Sequence, residues 1–153
     1  MSLEIRYAKP SESELILEFI NGIAKYEKLS NQVIATKDDI YSSIFVEKSA
    51  NVIIAFLDGV PTGFALFFYN YSTFKGRKGL YLEDLYVHEQ FRKMGIGNAL
   101  FDHLLKIAKE NNCGRMEWAC LNWNKTAIDF YLSKKSRPMS EWTTFRIDEK
   151  DFS

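Results

Sequence analysis

Two carboxylates, Glu83 and Asp84, interrupt the otherwise apolar run Leu80-Tyr-Leu-Glu-Asp-Leu-Tyr-Val87, and soon after it comes Arg92-Lys-Met-Gly-Ile-Gly97. The run has the composition of a β-strand, and the stretch after Gly95 has the pattern of a helix. On a regular strand adjacent side chains point to opposite faces, so one of the two carboxylates faces whatever site the strand lines. The other is free to be a solvated charge on an open sheet face. The turn that follows has the chemistry of an anion cradle. Gly95 and Gly97 let a ligand approach the backbone, and the first N–H groups of the helix lack internal acceptors and sit at the positive end of its dipole. Arg92 and Lys93 add charge beside it. The same residues also suffice for a tight turn flanked by two solvated bases. Two common phosphate-binding motifs fail on the residues: Asn98-Ala99 stands where a P-loop ends in Gly-Lys-Ser/Thr, and Leu100 stands where a dinucleotide fingerprint has its third glycine.

These residues need a scaffold, and the remaining pattern supplies one. Leu3 to Ala8 alternates as a first strand. Ser11 to Glu14 resembles a capping box ahead of an amphipathic helix, with Ile16, Phe19, Ile20 and Ile23 on one stripe, running to about Lys28. Thr36 with Asp38 and Asp39 opens a shorter helix carrying Ile40, Ile44 and Phe45. Asp58-Gly59 between NVIIAFL and VPTGFALFFYN predicts a hairpin, and Leu80 to Val87 is the third member of that meander. Beyond it the order is helix (Gly95 to Asn111), strand (Arg115 to Cys120), helix (Asn124 to Leu132), which favours a parallel crossover. Thr143 to Ile147 reads as a closing strand. The expectation is one α/β (α+β) domain over residues 1–153, with a mixed, mostly antiparallel sheet of about six or seven strands flanked by about four helices, splaying at Leu80 to Val87.

The chain has 153 residues, 46% apolar and 15% aromatic, with 20 Lys+Arg against 20 Asp+Glu. This length supports a self-sufficient core, and the aromatic content excludes a mostly disordered chain. Zero formal net charge argues against a nucleic-acid or anionic-membrane protein acting through its global field, and points to a small-molecule partner. No apolar run is long enough to span a bilayer and no secretory leader is evident, so a cytoplasmic protein is expected. Cys113 and Cys120 are too few for a disulfide framework and lack the spacing of a metal site, and His88 and His103 have no nucleophile beside them. No metal is expected.

Arg-x-x-Gly-x-Gly after a strand and opening a helix resembles the GNAT superfamily of acetyl-coenzyme A-dependent N-acetyltransferases. The motifs Tyr-Leu-Glu-Asp (81 to 84), Trp-Asn (123 to 124), Asp-Phe-Tyr (129 to 131) and Glu-Trp-Thr-Thr-Phe-Arg-Ile (141 to 147) are similar to its diamine (spermidine/spermine) and thialysine branch. The resemblance implies that the coenzyme A pyrophosphate rests on the backbone of Lys93, Met94, Gly95, Ile96, Gly97 and Asn98, with Arg92 adding charge to the same cofactor site. It implies that the pantetheine arm pairs along Leu85, Tyr86 and Val87, and that Asn124, Lys125, Thr126, Ala127 and Lys134 complete the donor site.

An alkyl ammonium has a pKa of about 10.4 and must lose a proton before attacking a thioester. The resemblance gives Glu83 the role of base acting through water and Asp84 that of a contact to the cationic acceptor. It makes Tyr131 the general acid for the departing thiolate. Tyr26, Glu27, Glu141 and Trp142 would contact the acceptor, and the branch is homodimeric. Direct attack in a ternary complex is the expected route, with a polyamine-like or thialysine-like amine as acceptor. The alternatives are another amino acid, an aminoglycoside, a protein amine, or a non-catalytic acyl-coenzyme A sensor. In one respect the chain departs from the family: Lys135-Ser136 replaces the usual small pair after Tyr131. A glycine there accepts a left-handed turn that Lys adopts only at a cost.

Overall fold

A computed structural model describes all 153 residues, which form two compact units, Met1–Ala119 and Cys120–Ser153. In the first unit β1 (Leu3–Tyr7), β2 (Asn51–Leu57), β3 (Val60–Ser72), β4 (Arg77–Val87) and β5 (Met116–Trp118) lie in that order in one sheet. The first four are mutually antiparallel, and β5 pairs parallel to β4. The mixed, mostly antiparallel architecture is as expected, with five strands in place of six or seven. Helices α1 (Ser13–Tyr26) and α2 (Lys37–Ile40, continuing into a π-helical turn through Val46) precede β2, and α3 (Ile96–Glu110) makes the crossover from β4 to β5.

Each element follows from local chemistry. The β2–β3 turn places Asp58 and Gly59 at φ 50° and 83°, the paired left-handed conformations that match the twist of a two-residue hairpin. Thr36 and Asp39 cap α2 reciprocally, at 3.1 and 2.8 Å. The capping box expected at Ser11 and Glu14 is not used. Glu12, in a short 3₁₀ turn before α1, accepts the Lys9 N–H at 2.8 Å and a bidentate pair of bonds from Arg6 at 2.9 Å each. Ile16 and Phe19 of α1 are wholly buried with Ile54 and Phe64, and the Phe19 and Phe64 rings stack at 5.1 Å. Side chains buried to this extent contribute about 1.5–3 kcal/mol each. Leu100, Phe101 and Leu104 of α3 are buried likewise.

Two irregularities in the sheet matter for the site. Leu82 stands opposite Phe67 and Asp84 opposite Leu66, which leaves Glu83 as an extra residue, a β-bulge in β4. Pairing with β5 covers only Leu80 to Leu82, so β4 carries on past the bulge with no sheet neighbour on that side.

In the second unit, α4 (Lys125–Ser133) is capped by the Asn124 side chain, which accepts the Ala127 N–H at 3.2 Å. Thr143 to Ile147 is not a strand, and Phe145 and Ile147 are exposed. Its alternation suits a strand, but a strand exists only where an edge accepts its hydrogen bonds. None of the helices is long and apolar enough to cross a membrane.

Candidate active site

The bulge decides which face the functional side chains of β4 occupy. Leu80 and Leu82 share a face with Tyr69 and Phe67, their partners on β3. On an uninterrupted strand Asp84 and Tyr86 would follow them there. The extra residue shifts the phase, so Asp84 pairs with Leu66 and Tyr86 with Phe64, on the face covered by α1. Leu85 and Val87 take the opposite face, where the Val87 side chain lies towards the start of α3. The expectation that Glu83 and Asp84 point to opposite faces is therefore corrected. A bulge places both opposite one β3 residue, and the two carboxylates feel each other's charge.

Asp84 is the most perturbed acid of the chain. Burial first, then the charges of Glu83 and Glu27, push its carboxyl up to about 7. Glu27 is itself raised by burial. It ends α1 in a Schellman turn: the Leu29 N–H reaches Ala24 O at 2.8 Å, the Lys28 N–H reaches Lys25 O at 3.2 Å, and Lys28 takes φ 62°. That turn fixes Tyr26 and Glu27 beside the α1 face of β4. Thus the structure brings Glu27, Glu83 and Asp84 together as an acidic cluster, with Glu83 the exposed member.

The turn between β4 and α3 has the glycine-bearing, helix-opening geometry that an anion cradle needs. Lys93 and Gly95 adopt φ 64° and 82°, and α3 begins at Ile96 with its first internal bond from the Ala99 N–H to Gly95 O at 3.0 Å. Ile96 and Gly97 therefore present N–H groups at the helix end. A Cβ on Gly97 would meet only Val87 Cγ2, at 3.9 Å, so the space before the helix end is open and a side chain there would fill it. A nest of successive backbone N–H groups beside an open strand edge suits an elongated ligand with a pyrophosphate at one end. Lys93 and Met94 are exposed beside it, and the Asn98 side chain bonds Asp102 at 3.2 Å. Arg92 differs from expectation in direction: its Nε donates to Val87 O at 2.9 Å, and its guanidinium lies over the rings of Tyr26 and Tyr86 at 5.0 and 5.6 Å.

In the second unit, Tyr131 is half-buried on α4, edge-on to Phe130 at 5.5 Å, and Lys134 Nζ lies 5.9 Å over the Phe130 ring. Lys125 pairs with Asp129 at 2.9 Å, and Thr126 and Ala127 follow it in the first turn of α4. Glu141 and Trp142 are exposed, with the Trp142 N–H on Met139 O at 3.1 Å. The departure after Tyr131 leaves the turn intact. Lys135 itself adopts φ 66°, and the Ser136 hydroxyl bonds back to Tyr131 O at 2.5 Å, closing the helix end. Lys135→Gly should relieve the left-handed strain and stabilise the protein by about 1 kcal/mol, read as a higher melting temperature.

The sequence matches the family model described as "Acetyltransferase (GNAT) family" over residues 19–134. The chain belongs to the GNAT acetyltransferases. It is 37% identical over 150 residues to a thialysine N-epsilon-acetyltransferase of Caenorhabditis elegans, covering 96% of this chain and 92% of that protein. The corresponding Bos taurus protein is 33% identical over 156 residues, covering 94% and 91%. Among solved structures, an integron cassette protein from the mobile metagenome of V. cholerae superposes with a TM-score of 0.80 at 28% identity, over 97% of this chain and 93% of that one. This acetyltransferase is thus an N-acetyltransferase by family, and GNAT enzymes take acetyl-coenzyme A as co-substrate.

Proposed function

We propose that this acetyltransferase moves the acetyl group of acetyl-coenzyme A onto the terminal primary amine of a small cationic acceptor of the lysine or thialysine type, by direct attack within a ternary complex. The observation that carries the reading is the acidic cluster of Glu27, Glu83 and Asp84 beside the unpaired edge of β4. Its relatives, named for thialysine acetylation, support the same acceptor class.

The donor residues fit a coenzyme. The N–H groups of the cradle would hold its phosphates, Leu85 and Val87 would offer main-chain groups beside the unpaired edge, and when bound it supplies an activated acetyl thioester. Asn124 to Ala127 and Lys134 are assigned to the same ligand by the family resemblance.

Acceptor chemistry falls to the carboxylates. An ammonium at about 10.4 gives its proton to an ordinary carboxylate at a cost of about 9 kcal/mol, and to one raised to about 7 at about 5 kcal/mol. Asp84 is therefore given the proton, with Glu83 and Glu27 drawing the cation in. Attack then needs a proton for the leaving sulfur, a role that the family resemblance gives to Tyr131. Tyr131→Phe should lower kcat about 10²-fold with little change in the KM of either substrate.

The reading is tested by thiol release from acetyl-coenzyme A over a panel of thialysine, lysine, ornithine, spermidine and lysine-containing peptides. Turnover should favour the free amino acids and short amines. Coenzyme A binding without turnover of any amine would replace the enzyme reading with that of a sensor.

A further inference from the structure

Arg92 belongs by its backbone to the cradle turn and by its side chain to the opposite face of β4. Its Nε donates to Val87 O at 2.9 Å, which holds the guanidinium at the strand end. From there the group lies over Tyr86, the neighbouring residue on the α1 face, and over Tyr26, the last residue of α1, at 5.6 and 5.0 Å. The Tyr86 ring is itself fixed. A Cβ on Gly22 of α1 would come within 2.6 Å of its hydroxyl, so the phenol can lie flush against the helix only because that residue is glycine. His88 Nδ1 lies 3.4 Å from the same hydroxyl, and Phe19 packs against both rings at 6.4 and 4.9 Å. A guanidinium over two rings with one fixed hydrogen bond has little freedom to leave, because stacking and the fork act together.

We propose that Arg92 is a positioning residue that fastens the acceptor end of α1, with Tyr26 and Glu27, to the donor end of β4. The cradle and the acidic cluster then sit at a fixed separation because one side chain spans both. The role rests on the acetyl-transfer reading for its meaning, but the tie itself is a property of the fold. It differs from that of a phosphate ligand, which would lose donor affinity and leave α1 unaffected.

The test compares the wild type with Arg92→Ala, Arg92→Lys, Tyr26→Leu and the Arg92→Ala/Tyr26→Leu pair, each checked by thermal melting. Three quantities are read: coenzyme A affinity without amine, kcat and KM for thialysine, and amide hydrogen exchange over Tyr26 to Leu29. Arg92→Ala should raise the thialysine KM about tenfold and speed exchange at the α1 end by a similar factor, with coenzyme A affinity changed less than about threefold. Tyr26→Leu should reproduce both effects, and the double variant should be no worse than about twofold beyond either single one, since one interaction is lost in all three. Arg92→Lys, which keeps a charge near the rings but neither the Nε bond to Val87 O nor the planar stack, should restore only part of the exchange protection. A tenfold loss of coenzyme A affinity with unchanged exchange, or fully multiplicative effects in the double variant, would overturn the tie and make Arg92 a phosphate ligand. If the wild type acetylates no primary amine, the acetyl-transfer reading fails, and the exchange and affinity measurements still decide the tie.

Discussion

Asp84→Asn should lower kcat/KM for the amine about 10²–10³-fold near neutral pH and at the same time make the protein more stable in mild alkali. Both effects follow from one cause. Burial, with Glu83 and Glu27 nearby, raises the Asp84 carboxyl to about 7, so between about pH 4 and 7 the folded protein holds a proton that the unfolded chain releases. Stability from this group is complete below the unfolded pKa, falls as pH rises through that window, and stays low above 7. A full shift of this size is worth about 4 kcal/mol, and the partial exposure of Asp84 reduces it to about 2 kcal/mol. Asn carries no charge to desolvate. The variant should therefore melt about 5 °C higher than the wild type at pH 8 and no higher at pH 4. The kinetic signature is equally specific. kcat/KM should show an acid limb near pH 7, reporting the free enzyme, and kcat should show it at lower pH, because a bound ammonium favours the carboxylate. Glu83→Gln should keep the limb and move it down slightly by removing a repelling charge. Near-normal turnover in Asp84→Asn would falsify the assignment and return the proton to Glu83.

How much of this could be read from the residues varies with how local the cause is. The turn into α3 is legible because its signal is local in the chain: glycines and a helix onset lie within a few residues, and α3 starts one residue from the expected position. The Asp58-Gly59 hairpin was legible for the same reason. The bulge at Glu83 is harder to read, yet its trace is present. The apolar positions Leu80 and Leu82 continue at Leu85 and Val87, so the two-residue period slips by one at the carboxylates. Treating the strand as regular put Glu83 and Asp84 on opposite faces and hid the acidic cluster, which also needs Glu27 from a distant helix end. The closing strand failed in the other direction. Thr143 to Ile147 has the right alternation, but pairing is a property of the partner edge, and no window of sequence contains it. In the sequence Arg92 is only a charge beside the turn, because sequence shows charge and not direction. Its turn back onto Val87 O depends on two aromatic rings placed by other elements.

Gly97→Val should leave the fold as stable as the wild type and weaken coenzyme A binding about 100-fold, with Gly97→Ala intermediate at about tenfold. Gly97 is preferable to Gly95 for this purpose. Gly95 holds φ 82°, so any side chain there strains the turn by about 1–2 kcal/mol and confounds binding with folding. Gly97 is the second residue of α3, in helical conformation, and its added Cβ would have one neighbour, Val87 Cγ2 at 3.9 Å. Alanine in a helix is favoured over glycine by about 1 kcal/mol, so Gly97→Ala should melt slightly higher. What the side chain removes is the approach to the N–H groups, whose value to an anion depends on contact distance. The loss should appear in the donor KM and be recovered at saturating acetyl-coenzyme A, with the thialysine KM unchanged. Unchanged coenzyme A affinity in Gly97→Val would move the phosphates off the α3 end. Set against Asp84→Asn, which should impair the acceptor half with donor affinity intact, Gly97→Val should impair the donor half alone, so that the two variants together separate the roles proposed for the cradle and for the acidic cluster.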